Sequence, residues 1–177
     1  MVRDEVRQAL FEGQRGDAER LVAGGAPPSV GMAAALGHLE VVQGAEPEAL
    51  DAGDEQGFTP LQLACFFGAP EVARWLLARG ADPSSVSGGP PRTTPLLAAL
   101  AGPTPELVTD LLAAGADVAG RGEGGFTALH SAAGSGNAVA VRELLAAGAD
   151  PSATDDGGAT PRDVARGADV AALLPAP

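Results

Sequence analysis

Gly57-Phe58-Thr59-Pro60-Leu61-Gln62-Leu63-Ala64-Cys65, closed downstream by Gly80-Ala81-Asp82, decides how this chain folds. Thr59 suits a helix N-cap, because its hydroxyl can accept from an orphan backbone N–H. Pro60 follows at the first helical position, where a missing N–H costs nothing. Leu61, Ala64 and Cys65 then share one stripe at helical spacing. Gly68 ends this short helix. Pro70 and Glu71 open a second one, with the carboxylate near its positive end. Val72, Trp75 and Leu76 supply its apolar stripe, and Gly80 stops it as a residue able to turn left-handed. Asp82-Pro83 leads into a polar turn.

The same phrase returns twice. Thr93-Thr94-Pro95-Leu96-Leu97-Ala98-Ala99 runs to Gly115-Ala116-Asp117, and Gly125-Phe126-Thr127-Ala128-Leu129-His130-Ser131-Ala132 runs to Gly148-Ala149-Asp150. Thr94 and Thr127 stand 33 positions apart, as do Gly115 and Gly148. The step from Thr59 to Thr94 is 35, so two residues are inserted, near Ser87-Gly88-Gly89-Pro90-Pro91-Arg92. That turn is expected to be longer and looser than its neighbours. A fixed period of this size marks a stacked-repeat protein. Helices of about ten residues are marginal alone in water, so stacking must hold them. Stacked helix pairs give an extended surface, not an enclosed catalytic pocket.

Gly-x-Thr-Pro-Leu-x-x-Ala, a mid-repeat glycine and then Leu-Leu-x-x-Gly-Ala-Asp resemble the ankyrin repeat. The double leucines are Leu76-Leu77, Leu111-Leu112 and Leu144-Leu145. The resemblance implies an all-α ankyrin-repeat solenoid of stacked helix-turn-helix units with hairpin-like finger loops, about five to six repeats in a single domain. The flanks fit less well. Gly37-His38-Leu39-Glu40-Val41-Val42 looks like the middle of a unit. It lacks the Thr-Pro-Leu start, having Pro27-Pro28-Ser29-Val30 instead, and its tail Pro47–Asp54 replaces the double leucine. Ala9-Leu10-Phe11-Glu12-Gly13 to Gly25-Ala26 resembles a shortened first unit. At the other end Gly158-Ala159-Thr160-Pro161-Arg162-Asp163-Val164-Ala165 starts in phase and closes early at Ala171–Leu174. Such departures suit capping repeats, each with one solvated side. The units are therefore set at 1–26, 27–53, 54–87, 88–121, 122–154 and 155–174.

Only His130 fills the family's histidine position, which by resemblance hydrogen-bonds between neighbouring turns; Gln62, Leu97 and Asp163 replace it elsewhere. Weaker inter-repeat ties and modest stability are expected in the middle. Pro103 replaces one mid-repeat glycine, and Gly102 is expected to take over that turn.

The chain has 177 residues, 45% of them hydrophobic, enough for one domain with a real core. It contains no Ile, Lys or Tyr, and only 3% aromatics. Ala, Leu, Val and Gly let helices approach closely. The Arg, Ala, Gly, Pro and Val bias fits a GC-rich coding sequence and points to a bacterial source. A net charge of −12 disfavours nucleic-acid binding and favours solubility and basic partners. Cys65 is the only cysteine, so no intrachain disulfide is possible. Met1–Arg7 alternates charge without an apolar stretch, and no run approaches the roughly 18 apolar residues of a membrane span. The expected location is cytoplasmic, with no membrane contact.

No catalytic residue, metal ligand or cofactor is assigned. His38 and His130 belong to different units, and with a lone cysteine they do not make a zinc site. Cys65 falls on the inner stripe of a helix, where a thiol is inert. Gly120–Gly125 follows no strand and lacks the Lys-Ser/Thr of a phosphate loop. Asp155-Asp156-Gly157-Gly158 lacks calcium-loop spacing and reads as a solvated turn.

By resemblance, ankyrin proteins bind through turn tips and the exposed side of the first helix, which line a concave face. The positions that match are Glu55, Gln56, Phe58, Phe66, Phe67, Arg92, Glu123, Phe126, Ser135 and Asp156. Four of the five phenylalanines stand among them, a binding signature in so aromatic-poor a chain. The alternative for Phe66 or Phe67 is packing inward on the next repeat. Trp75 reads as core. Asp54, Glu55, Asp117, Glu123, Asp155 and Asp156 gather near the turns, whereas Arg74, Arg79 and Arg142 belong to second helices. The expected role is a monomeric, non-enzymatic protein-interaction module. Its partner protein would present a basic rim around an apolar anchor. The alternatives are an acidic antitoxin or immunity-type inhibitor of a basic effector, an enzyme or small-ligand receptor, and a structural spacer.

Overall fold

A computed structural model describes residues 2–24 and 28–175. The expected end of the first unit at Gly25-Ala26, together with Pro27, lies outside the described residues, as does Met1. Eleven α-helices and no strand occur among the described residues. They are α1 Val2–Phe11, α2 Arg15–Ala23, α3 Val30–Leu36, α4 Leu39–Gln43, α5 Pro60–Phe67, α6 Pro70–Ala78, α7 Pro95–Ala101, α8 Glu106–Ala113, α9 Ala128–Ser135, α10 Ala138–Ala146 and α11 Ala168–Ala171. Short 3-10 turns cover Pro47–Ala49 and Glu123–Gly125.

The expected caps form. The Thr59 hydroxyl accepts from the Gln62 N–H at 3.3 Å, while the Gln62 side-chain oxygen accepts from the Thr59 N–H at 2.9 Å, which closes a capping box. Thr127 closes the same box with His130 on α9, whereas on α7 the Thr94 hydroxyl accepts from the Leu97 N–H with no side chain returning the bond. Ser29 accepts from the Met32 N–H, so α3 is capped although its unit lacks Thr-Pro-Leu. Gly102 does end α7, but with an extended backbone rather than a left-handed one. A Cβ there would stand 2.5 Å from the Cys65 carbonyl oxygen, so only glycine lets the two turns meet.

The inner helices α3, α5, α7 and α9 stack side by side, each backed by an outer helix, α4, α6, α8 and α10. Leu61, Leu96 and Leu129 fill the inner layer and Leu76, Leu111 and Leu144 the outer one, all buried. Each such leucine stabilises the stack by roughly 1.5–3 kcal/mol. Trp75 is half-buried against this core, and its outer side carries the Arg79 guanidinium at 4.9 Å from a ring centroid. Arg74 also leaves α6, to pair with Asp110 of α8 at 2.8 Å. Cys65 is wholly buried, and that burial pushes its thiol up to about 12, with Asp110 adding a smaller push.

Three expectations need correction. The inserted turn before Thr93 is longer but not loose. Ser87 is buried; its hydroxyl accepts from the Thr93 N–H at 2.9 Å and faces the Gly89 and Pro91 carbonyls, and its N–H donates to the Thr93 carbonyl. The stretch from Pro161 does not form an inner helix. It stays in turns up to Gly167, which has φ 92°, and Arg162 donates across it to the carbonyls of Ala171 and Leu174. Val170 and Leu174 still seal the end of the core.

The third correction concerns α1. Its hairpin with α2 starts correctly at the turn, where Arg15 donates to the Leu36 carbonyl. Beyond that, α1 leans across α3 toward α5 and does not stack as one more inner helix. Val6, Ala9 and Leu10 pack in one cluster with Phe58 and Leu63, two units away. The second unit explains this. Its inner helix is seven residues of mostly Gly and Ala, and its outer helix stops after five. It therefore offers a regular neighbour little apolar area, while the floor of the next unit offers more.

Candidate binding face

The fingers are positioned by close backbone contacts. Gly57 has φ 80°, and a Cβ there would lie 2.6 Å from the Gly88 nitrogen, so the Phe58 finger rests directly on the next one. The Gly88 N–H donates to the Gly57 carbonyl at 3.0 Å. Further along, the Asp156 N–H donates to the Gly124 carbonyl and Arg121 to the Thr154 carbonyl, both within 3 Å. Asp54 and Asp155 shape their own fingers. Asp54 accepts from the Gln56 and Phe58 N–H groups, and Asp155 from those of Gly157 and Ala159.

Inside, the fingers are tied to the inner helices. His130 is buried; one ring nitrogen meets the Thr127 hydroxyl at 2.8 Å and the other the Ala159 carbonyl at 3.0 Å, in the next unit. Gln62 does the same job. Its amide donates to the Ser85 and Thr93 carbonyls at 3.0 and 3.1 Å. The expected loss of ties therefore does not occur at Gln62. A neutral amide carries the same pairing of donor and acceptor as imidazole. At Leu97 the tie is absent, and the fingers are clasped at the surface instead. There the Glu123 N–H donates to the Arg92 carbonyl at 2.7 Å, and its carboxylate accepts from the Arg92 N–H at 3.0 Å.

Three hollows run along the angle between fingers and inner helices. The first, about 240 Å³, is shared with α1 and bordered by Glu55 and Phe67. The second, about 180 Å³, lies between Gln56, Phe58, Phe66 and Leu97. The third, about 310 Å³, lies between Arg92, Glu123, Phe126 and Gly134. Seven of the ten positions named from sequence, all but Phe58, Ser135 and Asp156, thus border this groove with groups reaching solvent. Phe66 and Phe126 are each 38% exposed, and Phe126 meets the His130 ring edge-on at 5.5 Å. Ser135 and Asp156 are exposed but lie outside the three hollows. Phe58 is a correction. It is only 7% exposed, because α1 covers it.

Sequence reasoning missed Phe11 and Arg7. Phe11 meets the Phe67 ring edge-on at 5.2 Å and the Phe66 ring at a tilt at 6.0 Å, so both rings face the first unit, while Phe66 also borders the hollow it shares with Leu97 of the next repeat. The signal was slight: Phe11 was the one phenylalanine left without a role, four residues after an arginine.

This groove, bounded by glycine-tipped fingers and small-residue helices, belongs to a helical repeat protein. A family model described as "Ankyrin repeats (3 copies)" matches residues 6–87, and one described as "Ankyrin repeats (many copies)" matches residues 111–165. The chain belongs to the ankyrin-repeat family. The first match begins inside α1, so the hairpin that leans over the groove is a repeat by sequence. No curated protein matches the chain. Ankyrin repeats are generally protein-protein interaction modules. No helix among the described residues is long and apolar enough to cross a membrane.

Proposed function

We propose that this chain is a non-enzymatic module that holds a partner protein along the groove, as a monomer in the cytoplasm. The observation that carries the reading is the pair of exposed rings, Phe66 and Phe126, on one face of a chain with five phenylalanines. Exposed aromatics gathered on one face are typical anchors of an interface. Glu55, Gln56, Phe67, Arg92 and Glu123 border the same groove, with Ser135 and Asp156 at its margins. The acids at the finger tips favour a partner with a basic rim around an apolar anchor. Such charges act mainly on association rate and specificity, and the rings on affinity.

The test is capture from the native host by the full chain, with and without Phe66→Ser plus Phe126→Ser. A protein recovered with the parent chain should fall at least tenfold in the variant, while thermal unfolding stays within a few degrees. Equal recovery would move the docking surface elsewhere.

A further inference from the structure

The groove already holds something. Arg7 and Phe11 are four residues apart on α1, so they share one face of that helix. That face points into the groove. A terminal guanidinium nitrogen of Arg7 lies 3.5 Å from a carboxylate oxygen of Asp54, with the two side chains only 18% and 20% exposed. The guanidinium also lies over the Phe11 ring at 5.6 Å, and Phe11 completes an aromatic trio with Phe66 and Phe67. A cation beside a finger acid and an aromatic on the aromatic pair is the chemistry such a groove asks of a partner. Here the chain supplies it itself.

The fit is imperfect. A cavity of about 240 Å³ stays open between α1 and its floor, lined by Leu10, Met32, Leu63 and Phe67. A void that size forfeits dispersion contacts along its lining. That nitrogen of Arg7 is buried without a hydrogen bond, an unsatisfied donor. Phe11 remains 50% exposed. The helix holds its place partly because tethering gives it a high effective concentration. Beyond Phe11 the groove continues into the hollow between Phe58, Phe66 and Leu97, which α1 leaves open.

We infer that α1 is a built-in competitor, and that the partner is a protein helix presenting an Arg or Lys one turn before a Phe, which displaces α1 from Asp54, Phe66 and Phe67. The inference rests on the groove being the docking face. Displacement would uncover Phe58 and Leu63 and lengthen the apolar floor.

A fluorescein-labelled peptide with the sequence of Val2–Gly13 serves as the probe, read by anisotropy against the full-length chain. Its target is opened by Arg7→Glu with Phe11→Ala, which leaves Asp54, Phe66 and Phe67 untouched. The opened chain should bind the peptide at least tenfold more tightly than the parent, whose groove is occupied. Amide exchange over α1 should speed up while α5 to α10 stay protected. Phe66→Ala with Phe67→Ala, added to the opened chain, should abolish the binding, as should Phe→Ala within the peptide. Unchanged exchange over α1 would overturn the inference, since the helix would then be a fixed cap. Equal peptide binding by parent and opened chains, or none by either, would overturn it too. If the peptide experiment fails while Phe66 and Phe126 still govern partner capture, only the competitor falls. If it succeeds while capture ignores those rings, α1 is a displaceable helix, but the docking reading falls and the assigned partner falls with it.

Discussion

Gln62 and Leu97 occupy the same position in consecutive repeats, and the joints around them are built differently. Gln62 is buried, and its amide ties α5 to its own Thr59 and to two carbonyls of the following finger. Leu97 is half-buried and apolar, and the joint beyond it relies on Arg92 and Glu123, both exposed. A buried tie is shielded from competing water, whereas an exposed one gains little over hydration. The histidine of the family pattern is thus one solution to a geometric requirement: one acceptor for the capping threonine and one donor for the next finger. Glutamine meets it and leucine does not. The downstream joint should therefore be the softer of the two, and it borders the hollow that holds Phe126.

The largest effect should come from making the upstream joint resemble the downstream one. Gln62→Leu keeps the volume but strands the Thr59 N–H and the Ser85 carbonyl, while the Thr93 carbonyl keeps only the Ser87 N–H. Unsatisfied buried groups cost about 1–3 kcal/mol each before relaxation, so a loss of about 2–3 kcal/mol is expected. Urea unfolding should show a lower midpoint at an unchanged slope. A shift under 0.5 kcal/mol would mean that the tie adds nothing to stability.

Much of this was legible in advance. Thr59-Pro60-Leu61, its two echoes and the 33-residue step fixed helix starts, stops and stacking, because caps and turn glycines act locally. The role of Gln62 was within reach, since its side chain carries the donor and acceptor that the position needs. The lean of α1 was not, because it rests on Phe11 meeting rings 55 and 56 residues away. Nothing local encodes that contact, and Phe58 is buried in the cluster that α1 forms with α3 and α5. The missing inner helix after Pro161 was hidden for a similar reason: Arg162 finds its carbonyl partners across Gly167.

A smaller effect separates polar ties from simple burial within the same helix. Cys65 is buried in α5, and its thiol is pushed up to about 12 from 9.0. Between those values the unfolded chain loses the proton and the folded chain keeps it. Unfolding is then increasingly favoured as pH rises above 9, by at most about 1.4 kcal/mol per pH unit. Below pH 9 the contribution is fully present. The chain has no Lys and no Tyr, so among its side chains only this thiol titrates in that window. Stability measured from pH 8 to 10.5 should decline in the parent chain and stay flat in Cys65→Ala. Parallel slopes would show that the thiol is not shielded from water.

The smallest effect runs the comparison in reverse. Leu97→Gln introduces an amide whose oxygen can accept from the Thr94 N–H, as Gln62 does from Thr59. Its nitrogen would face the Phe126 carbonyl, which stands where Thr93 and Ala159 stand in the other two joints. That carbonyl already accepts from the Gly122 N–H but retains a second lone pair. Leu97 is half-buried, and its side chain crowds Gly122, where a Cβ would come within 2.6 Å. Some apolar contact is therefore lost as the polar tie is gained. A net gain of about 0.5–1 kcal/mol is expected, the ordinary worth of one added hydrogen bond. Amide exchange should slow in the Arg92–Glu123 clasp more than elsewhere. Stability unchanged or lowered would mean that the exposed clasp already holds the joint as firmly as a buried tie could.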